Sequence, residues 1–268
     1  MPRTVLAHRL EDAARGALAD VVGALAAPRR TVEKTAGAFG RAVAAARAEE
    51  RGVVRADLDA LAPGLRAALA ELPAGVDGIG VVTQPGLVAG EGPWLEWWRR
   101  AAGGAVERLE VTFDPDHPAD FDYPEAEWFH VPRDRGIPWI AGPFVDRGGT
   151  NRHLCTLSVP VRDGAGAFLG IAGADLRVGY LERLARRALP AWEGHCALVV
   201  TREARVLAAD DPRWAAGTLL EDETAALLRD GSEPGDELRR RGGAVTWEEE
   251  LPWGVAIVPR DLLSAPAR

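Results

Sequence analysis

Two apolar runs separated by a glycine-rich turn constrain this chain more than any other feature. Residues 152–161 read RHLCTLSVPV, residues 167–176 read AFLGIAGADL, and Asp163-Gly164-Ala165-Gly166 lies between them. β-Prone runs of this length joined by such a turn form an antiparallel hairpin. Just upstream, the segment from Phe121 is polar and aromatic, with Trp128, Phe129, Trp139 and Phe144. Aromatic side chains placed there can face the concave side of the hairpin and enclose a small molecule.

From Thr4 to Arg51 the chain is Ala-rich, with apolar residues at Val5, Leu6, Leu10, Leu18, Val21, Val22 and Leu25. That spacing predicts a long helix with a shallow apolar face, which Pro28 kinks or restarts. A shallow stripe needs a cover, so the helix is expected to pack partly on its own lobe and partly on a second copy, giving a homodimer through the N-terminal helix. Asp57–Leu72 reads as a second helix, disturbed at Pro63-Gly64, and Gly78–Thr83 as a strand. Gly78-x-Gly80 lacks the third glycine of a dinucleotide fingerprint and is followed by Pro85-Gly86 rather than a helix, which excludes a Rossmann reading. Residues 87–89 are a possible second strand. Trp94–Ala102 is expected as a short helix with Trp94, Trp97 and Trp98 on one face, a stripe that faces the core and can also wall a ligand pocket if one indole reaches it. Val106–Phe113 reads as a strand and 114–118 as a loop. Beyond the hairpin, Gly179–Leu189 is expected to be helical. CALVVT, ARVLAA, GAVTWEEEL and WGVAIVP then read as four strands, with a helix over Glu221–Arg229 and a loop over Asp230–Arg241.

The 268 residues carry a formal charge of -8, which disfavours nucleic acid as a partner. Apolar stretches at the N-terminus are broken by His8, Arg9, Glu11, Asp12, Arg15 and Asp20, so neither a secretory signal nor a membrane span is read, and a cytoplasmic location is expected. Cys155 and Cys196 sit in apolar runs and read as buried free thiols. None of the serines lies in a nucleophile elbow, and no zinc-protease helix motif, C-x-x-C or P-loop occurs; neither a metal nor a cofactor is expected. His153 and Cys155 lie two apart on one strand, a spacing open to a thiol–imidazole pair, although a buried thiol outweighs it.

The order WF, GPFVD, SVPV, a D-G turn and FLGIAGADL resembles the Cache sensor domains of bacterial chemoreceptors and sensor kinases. Those read W-Y, G-P-Y-x-D, P-V, D-G and G-V-x-G-x-D. The tail WGVAIVPRDLL is similar to the end of the second lobe in the double-Cache form. The resemblance implies an α+β fold: a long N-terminal helix followed by two PAS-like lobes, each an antiparallel sheet with flanking helices. The implied division is an N-terminal helical segment over 1–74, a larger ligand-binding lobe over 75–187 and a smaller lobe over 188–268. In amino-acid-sensing members an Arg two residues before the Trp holds the ligand carboxylate, aromatic residues line the pocket, and the Asp ending the last hairpin strand holds the amino group. Carried over, Trp128, Phe129 and Phe144 fall on aromatic positions, Asp175 on the amine-binding Asp, and Ala126 on the Arg. Phe121 and Phe144 stand where Tyr is common. Trp139 and Asp146 complete the implied pocket, and Glu127, with Asp122 and Glu125, adds negative potential at its mouth.

A carboxylate entering a pocket without the Arg would leave water unpaired, whereas a cation meets Asp175 and aromatic faces. The expectation is therefore a sensor of small amines or quaternary ammonium ions that signals through a separate output protein. Its rivals are a small thiol/His-dependent enzyme and a scaffold with a vestigial pocket.

Overall fold

The computed structural model of the chain describes residues 3–101, 103–114, 116, 121–147, 149–229 and 232–263. Helix α1 spans Arg3–Ala24 and α2 spans Ala26–Ala48. The break falls at Leu25, and Pro28 sits in the first turn of α2, where a missing N–H has no helical acceptor to forfeit. The chain divides into two compact units, Ala26–Arg177 and Met1–Leu25 with Val178–Arg268. Residues 1–74 thus form no segment of their own: a helix with so shallow a stripe is stable only against a sheet, and α1 and α2 belong to different units.

In the larger unit, α2 is followed by α3 (Arg55–Asp59), α4 (Ala62–Glu71), β1 (Val76–Thr83), β2 (Leu95–Arg100), β3 (Val106–Arg108), α5 (Glu127–Arg135), β4 (Trp139–Val145), β5 (His153–Arg162) and β6 (Phe168–Arg177). The six strands form one antiparallel sheet in the order β3-β2-β1-β6-β5-β4. The expected hairpin is β5–β6. Asp163 shapes its turn by accepting the Ala165 and Ala167 N–H groups, and Arg47 from α2 pairs with the same carboxylate. One sheet face is covered by α2, whose Pro28, Val32, Thr35, Phe39, Val43 and Ala46 are buried at helical spacing, and by α4. The other face carries an apolar cluster built on Trp97, Tyr123 and Phe129, with α5 beside it.

Several local expectations are corrected. Residues 95–100 are a strand rather than a helix, because alternation sends the Trp neighbours to opposite faces. Trp97 enters the cluster above, while Trp98 meets the Arg66 guanidinium at 5.1 Å and donates its indole N–H to Glu96. The 106–113 strand is limited to β3, and residues 87–89 give only an isolated parallel bridge between Val53 and Val88. The helix expected over 57–72 is two, broken at Ala60-Leu61, since Pro63 fits the start of α4. Most of the expected loop at 114–118 lies outside the described residues.

The smaller unit combines α1 with α6 (Val178–Ala188), β7 (His195–Thr201), β8 (Val206–Ala209), α7 (Asp222–Leu228), α8 (Ser232–Arg240), β9 (Ala244–Trp247) and β10 (Trp253–Pro259). Its antiparallel sheet runs β8-β7-β10-β9. Helix α8 replaces most of the loop expected at 230–241. Its glycine and proline obscured it in the sequence, but Leu238 anchors it in the core. One sheet face packs Leu198, Val200, Ala256 and Val258 with Trp214, Leu228 and Leu238. Alternate residues Val199, Val255 and Ile257 are equally buried, and α1 and α6 pack on this sheet. The stripe of α1 (Leu10, Ala14, Ala17, Leu18, Val21) and the adjoining Leu25 are buried, and Arg239 of α8 pairs with Glu11. Among the described residues no helix is long and apolar enough to cross a membrane.

Candidate functional site

A narrow cavity with room of only ≈ 20 Å³ between its walls lies on the Trp97 face of the larger sheet. It is lined by Val82, Leu95, Trp97 and Leu109 on one side, and by Phe121, Trp128, Asp146, Thr156 and Asp175 on the other. Its floor depends on glycines. Gly80 of β1 stands between Trp97 of β2 and Gly173 of β6 in the strand register. A Cβ on Gly80 would overlap the Glu96 carbonyl and the Trp97 backbone, one on Gly78 would meet the indole nitrogen at 2.5 Å, and one on Gly173 the far edge of the ring at 3.2 Å. The indole therefore lies flat across three strands in a trough that only glycines leave open. Gly80→Ala is expected to destabilise the protein by about 2–3 kcal/mol in urea unfolding and to shift Trp emission, because the clash is with backbone. A variant with wild-type stability and emission would contradict this floor.

Phe121 and Trp128 form the aromatic wall, stacked at 6.2 Å with 27° between their planes. Tyr123 braces them from beneath. Fully buried, it donates its hydroxyl to the Thr83 carbonyl at 2.6 Å, accepts the Trp94 N–H at 3.2 Å and packs its ring against Phe129 at 4.9 Å.

The two carboxylates are placed by different devices. Asp175 leaves β6 beside Thr156 of β5, its register partner, and accepts the Thr156 hydroxyl at 2.7 Å. The buried Trp97 indole N–H lies close to the same carboxylate but makes no hydrogen bond. Burial raises the Asp175 carboxyl to about 7, and the nearby Asp146 charge pushes the same way, while the Thr156 hydrogen bond opposes them. Asp146, just beyond β4, accepts the N–H and hydroxyl of Thr150 on one oxygen at 2.5 and 2.8 Å, and a side chain at Gly149 would overlap that carboxylate. Among the described residues no basic side chain lines the cavity.

Of the eight residues singled out in the sequence, the structure brings Phe121, Trp128, Asp146 and Asp175 together on this cavity. Phe129 lies beneath it as core. Trp139 donates its indole N–H to Glu127 at 2.8 Å, and Phe144 packs with Val131, Trp139 and Ala141 in a separate small cluster. Glu127 is exposed, and Ala126 caps the start of α5 without lining the cavity. Sequence reading missed Thr156 and raised Trp97 only as one of three tryptophans on a face that could wall the pocket. The signal for Trp97 was the pair of glycines in β1, which mark a close approach by a neighbour. Cys155 has no exposed surface and burial raises its pKa, whereas His153 is exposed and makes no bond to it, so the thiol–imidazole pair is not formed. Among the described residues no cluster of His, Cys, Asp or Glu has the arrangement of a metal site.

The chain has two PAS-like lobes, the larger with a partly closed acidic and aromatic cavity, an architecture similar to the double-Cache fold. Solved structures show the same architecture. The sensory domain of the Campylobacter jejuni chemoreceptor Tlp3 (CcmL) superposes with a TM-score of 0.61 at 10% identity, covering 97% of each chain. The extracellular domain of the histidine kinase mmHK1S-Z3 gives 0.57 at 15%, covering 96% of this chain and 93% of that one. The ligand-binding domain of the Pseudomonas aeruginosa PAO1 amino acid chemoreceptor PctB, in complex with L-Gln, gives 0.51 at 15%, covering 95% and 91%. No protein-family model matches the sequence, and no curated protein matches it.

Proposed function

We propose that this chain is a small-molecule sensor whose larger lobe binds a small organic cation, an amine or a quaternary ammonium compound, and passes the signal to a separate partner protein. The observation that carries this reading is the pairing of Asp175 and Asp146 around one aromatic cavity with no basic lining residue among the described residues. Two carboxylates facing one partly dry space repel each other, which is part of why Asp175 resists ionisation; a cation between them relieves both the repulsion and the desolvation. Trp97, Trp128 and Phe121 supply ring faces for an alkylammonium group, each worth about 0.5–2 kcal/mol. PctB is bound to L-Gln in its structure and one Tlp3 structure contains L-valine. An amino acid here would bring a carboxylate toward two others with no guanidinium to receive it.

A thermal-shift screen against alkylamines, quaternary ammonium ions, amino acids and dicarboxylates tests the reading. Ligand that binds only the folded state raises the melting temperature by mass action. Amines are expected to shift it, with Trp128→Ala reducing affinity by about 2 kcal/mol. Shifts from carboxylates alone would overturn the cation reading, and no shift from any class would favour a cavity that has lost its ligand.

A further inference from the structure

The larger unit holds a second cleft of opposite chemistry. It is an open space of ≈ 1020 Å³ whose lining includes Arg100 at the end of β2, Arg152 and His153 at the start of β5, and Arg177 at the end of β6. Among the described residues no carboxylate lines it. Antiparallel pairing brings these strand ends to one edge of the sheet, so the arginines are gathered by register rather than by neighbouring sequence positions.

A buried anchor beneath them fixes their orientation. Asp77 of β1 has no exposed surface and accepts from Nη1 of Arg152 at 2.5 Å and from Nε of Arg177 at 2.6 Å. Nη1 of Arg152 also donates to the Arg100 carbonyl at 2.9 Å. Arg100 itself donates through Nε to the Val76 carbonyl at 3.0 Å and through Nη2 to the carbonyls of Leu69 and Leu72. Each guanidinium is thus held by one edge, while Nε and Nη2 of Arg152, Nη1 of Arg177 and Nη1 of Arg100 have no acceptor among the described residues. Three guanidinium groups against the single Asp77 carboxylate leave a formal excess of two positive charges.

We infer that this cleft is a binding site for a small doubly charged oxyanion, a phosphate or dicarboxylate group, distinct from the cation cavity. Preoriented guanidinium edges match the geometry of such oxygens, and the ring N–H of His153 adds a further donor. Nothing in the cation cavity is needed for this site, so the two assignments stand or fall separately.

Titration calorimetry with inorganic phosphate and with succinate, against sodium chloride at matched ionic strength, tests the site. Saturable binding of at least one probe is expected. Arg177→Gln should weaken it about tenfold or more. Stronger binding of phosphate assigns the site to phosphoryl groups, and stronger binding of succinate to dicarboxylates. Because Arg177 also neutralises buried Asp77, its variant is checked for folding by circular dichroism. His153→Gln, on an exposed side chain outside that anchor, is expected to weaken binding as well. Heat no different from the chloride control for either probe, or full binding retained by folded Arg177→Gln, would overturn the assignment.

Discussion

Asp175→Asn is expected to stabilise the unliganded protein at pH 8 while weakening amine binding by about 2–4 kcal/mol. Both effects come from one carboxylate. Its ordinary value is 3.8 and the folded environment raises it to about 7. Between these values the folded protein keeps a proton that the unfolded chain has released. Stability linked to Asp175 is therefore fully present below about 3.8 and is lost as the pH rises through about 7. Asn retains an acceptor for the Thr156 hydroxyl and never ionises, so it avoids that loss. The gain at pH 8 is about 2–4 kcal/mol and vanishes near pH 4. Urea unfolding of both proteins at pH 5 and 8 measures it. A variant less stable than wild type at pH 8 would show that Asp175 is a structural group rather than a strained ligand-binding one.

Deleting residues 1–25 is expected to unfold the smaller lobe and drive the protein into aggregates. Leu10, Leu18, Val21 and Leu25 are each almost fully buried within that unit, beside the small Ala14 and Ala17. At about 1.5–3 kcal/mol for each large side chain, the lost burial rivals the whole stability of a domain. It also leaves a sheet face open to water. The homodimer expected from the sequence assumed that part of this helix was free to meet a second copy. A truncated chain that stays folded and turns from dimer to monomer in sedimentation would favour that dimer arm and contradict the cover described here.

Much of the fold was legible because its signals are local. The β5–β6 hairpin announces itself through two apolar runs and a glycine turn, and the four strands of the smaller lobe through short apolar runs. Elements whose local chemistry is ambiguous were not legible. Three tryptophans at 94, 97 and 98 suit one helical face, yet β2 needs only alternation, and the glycines that select it lie in another strand. Helix α5 has acidic residues near its start, basic ones at its end and Gly136 as its cap, but Pro132 within it hid the helix. The cavity divides the same way. Asp175 and Trp128 could be placed by resemblance, whereas Trp97 and Thr156 reach the site through strand register, which no short motif encodes. Trp139 and Phe144 look like pocket aromatics in the sequence, but the structure gives them to a neighbouring cluster.

Calorimetric titration at pH 6 and pH 8 with the amine that gives the largest thermal shift tests the central claim most directly. If a cation is held by the ionised carboxylates of Asp175 and Asp146, affinity is stronger at pH 8 by up to about tenfold, and binding at pH 6 releases close to one proton to the buffer. Binding of equal strength at both pH values with no proton release, or proton uptake with a carboxylate ligand in place of the amine, would contradict it.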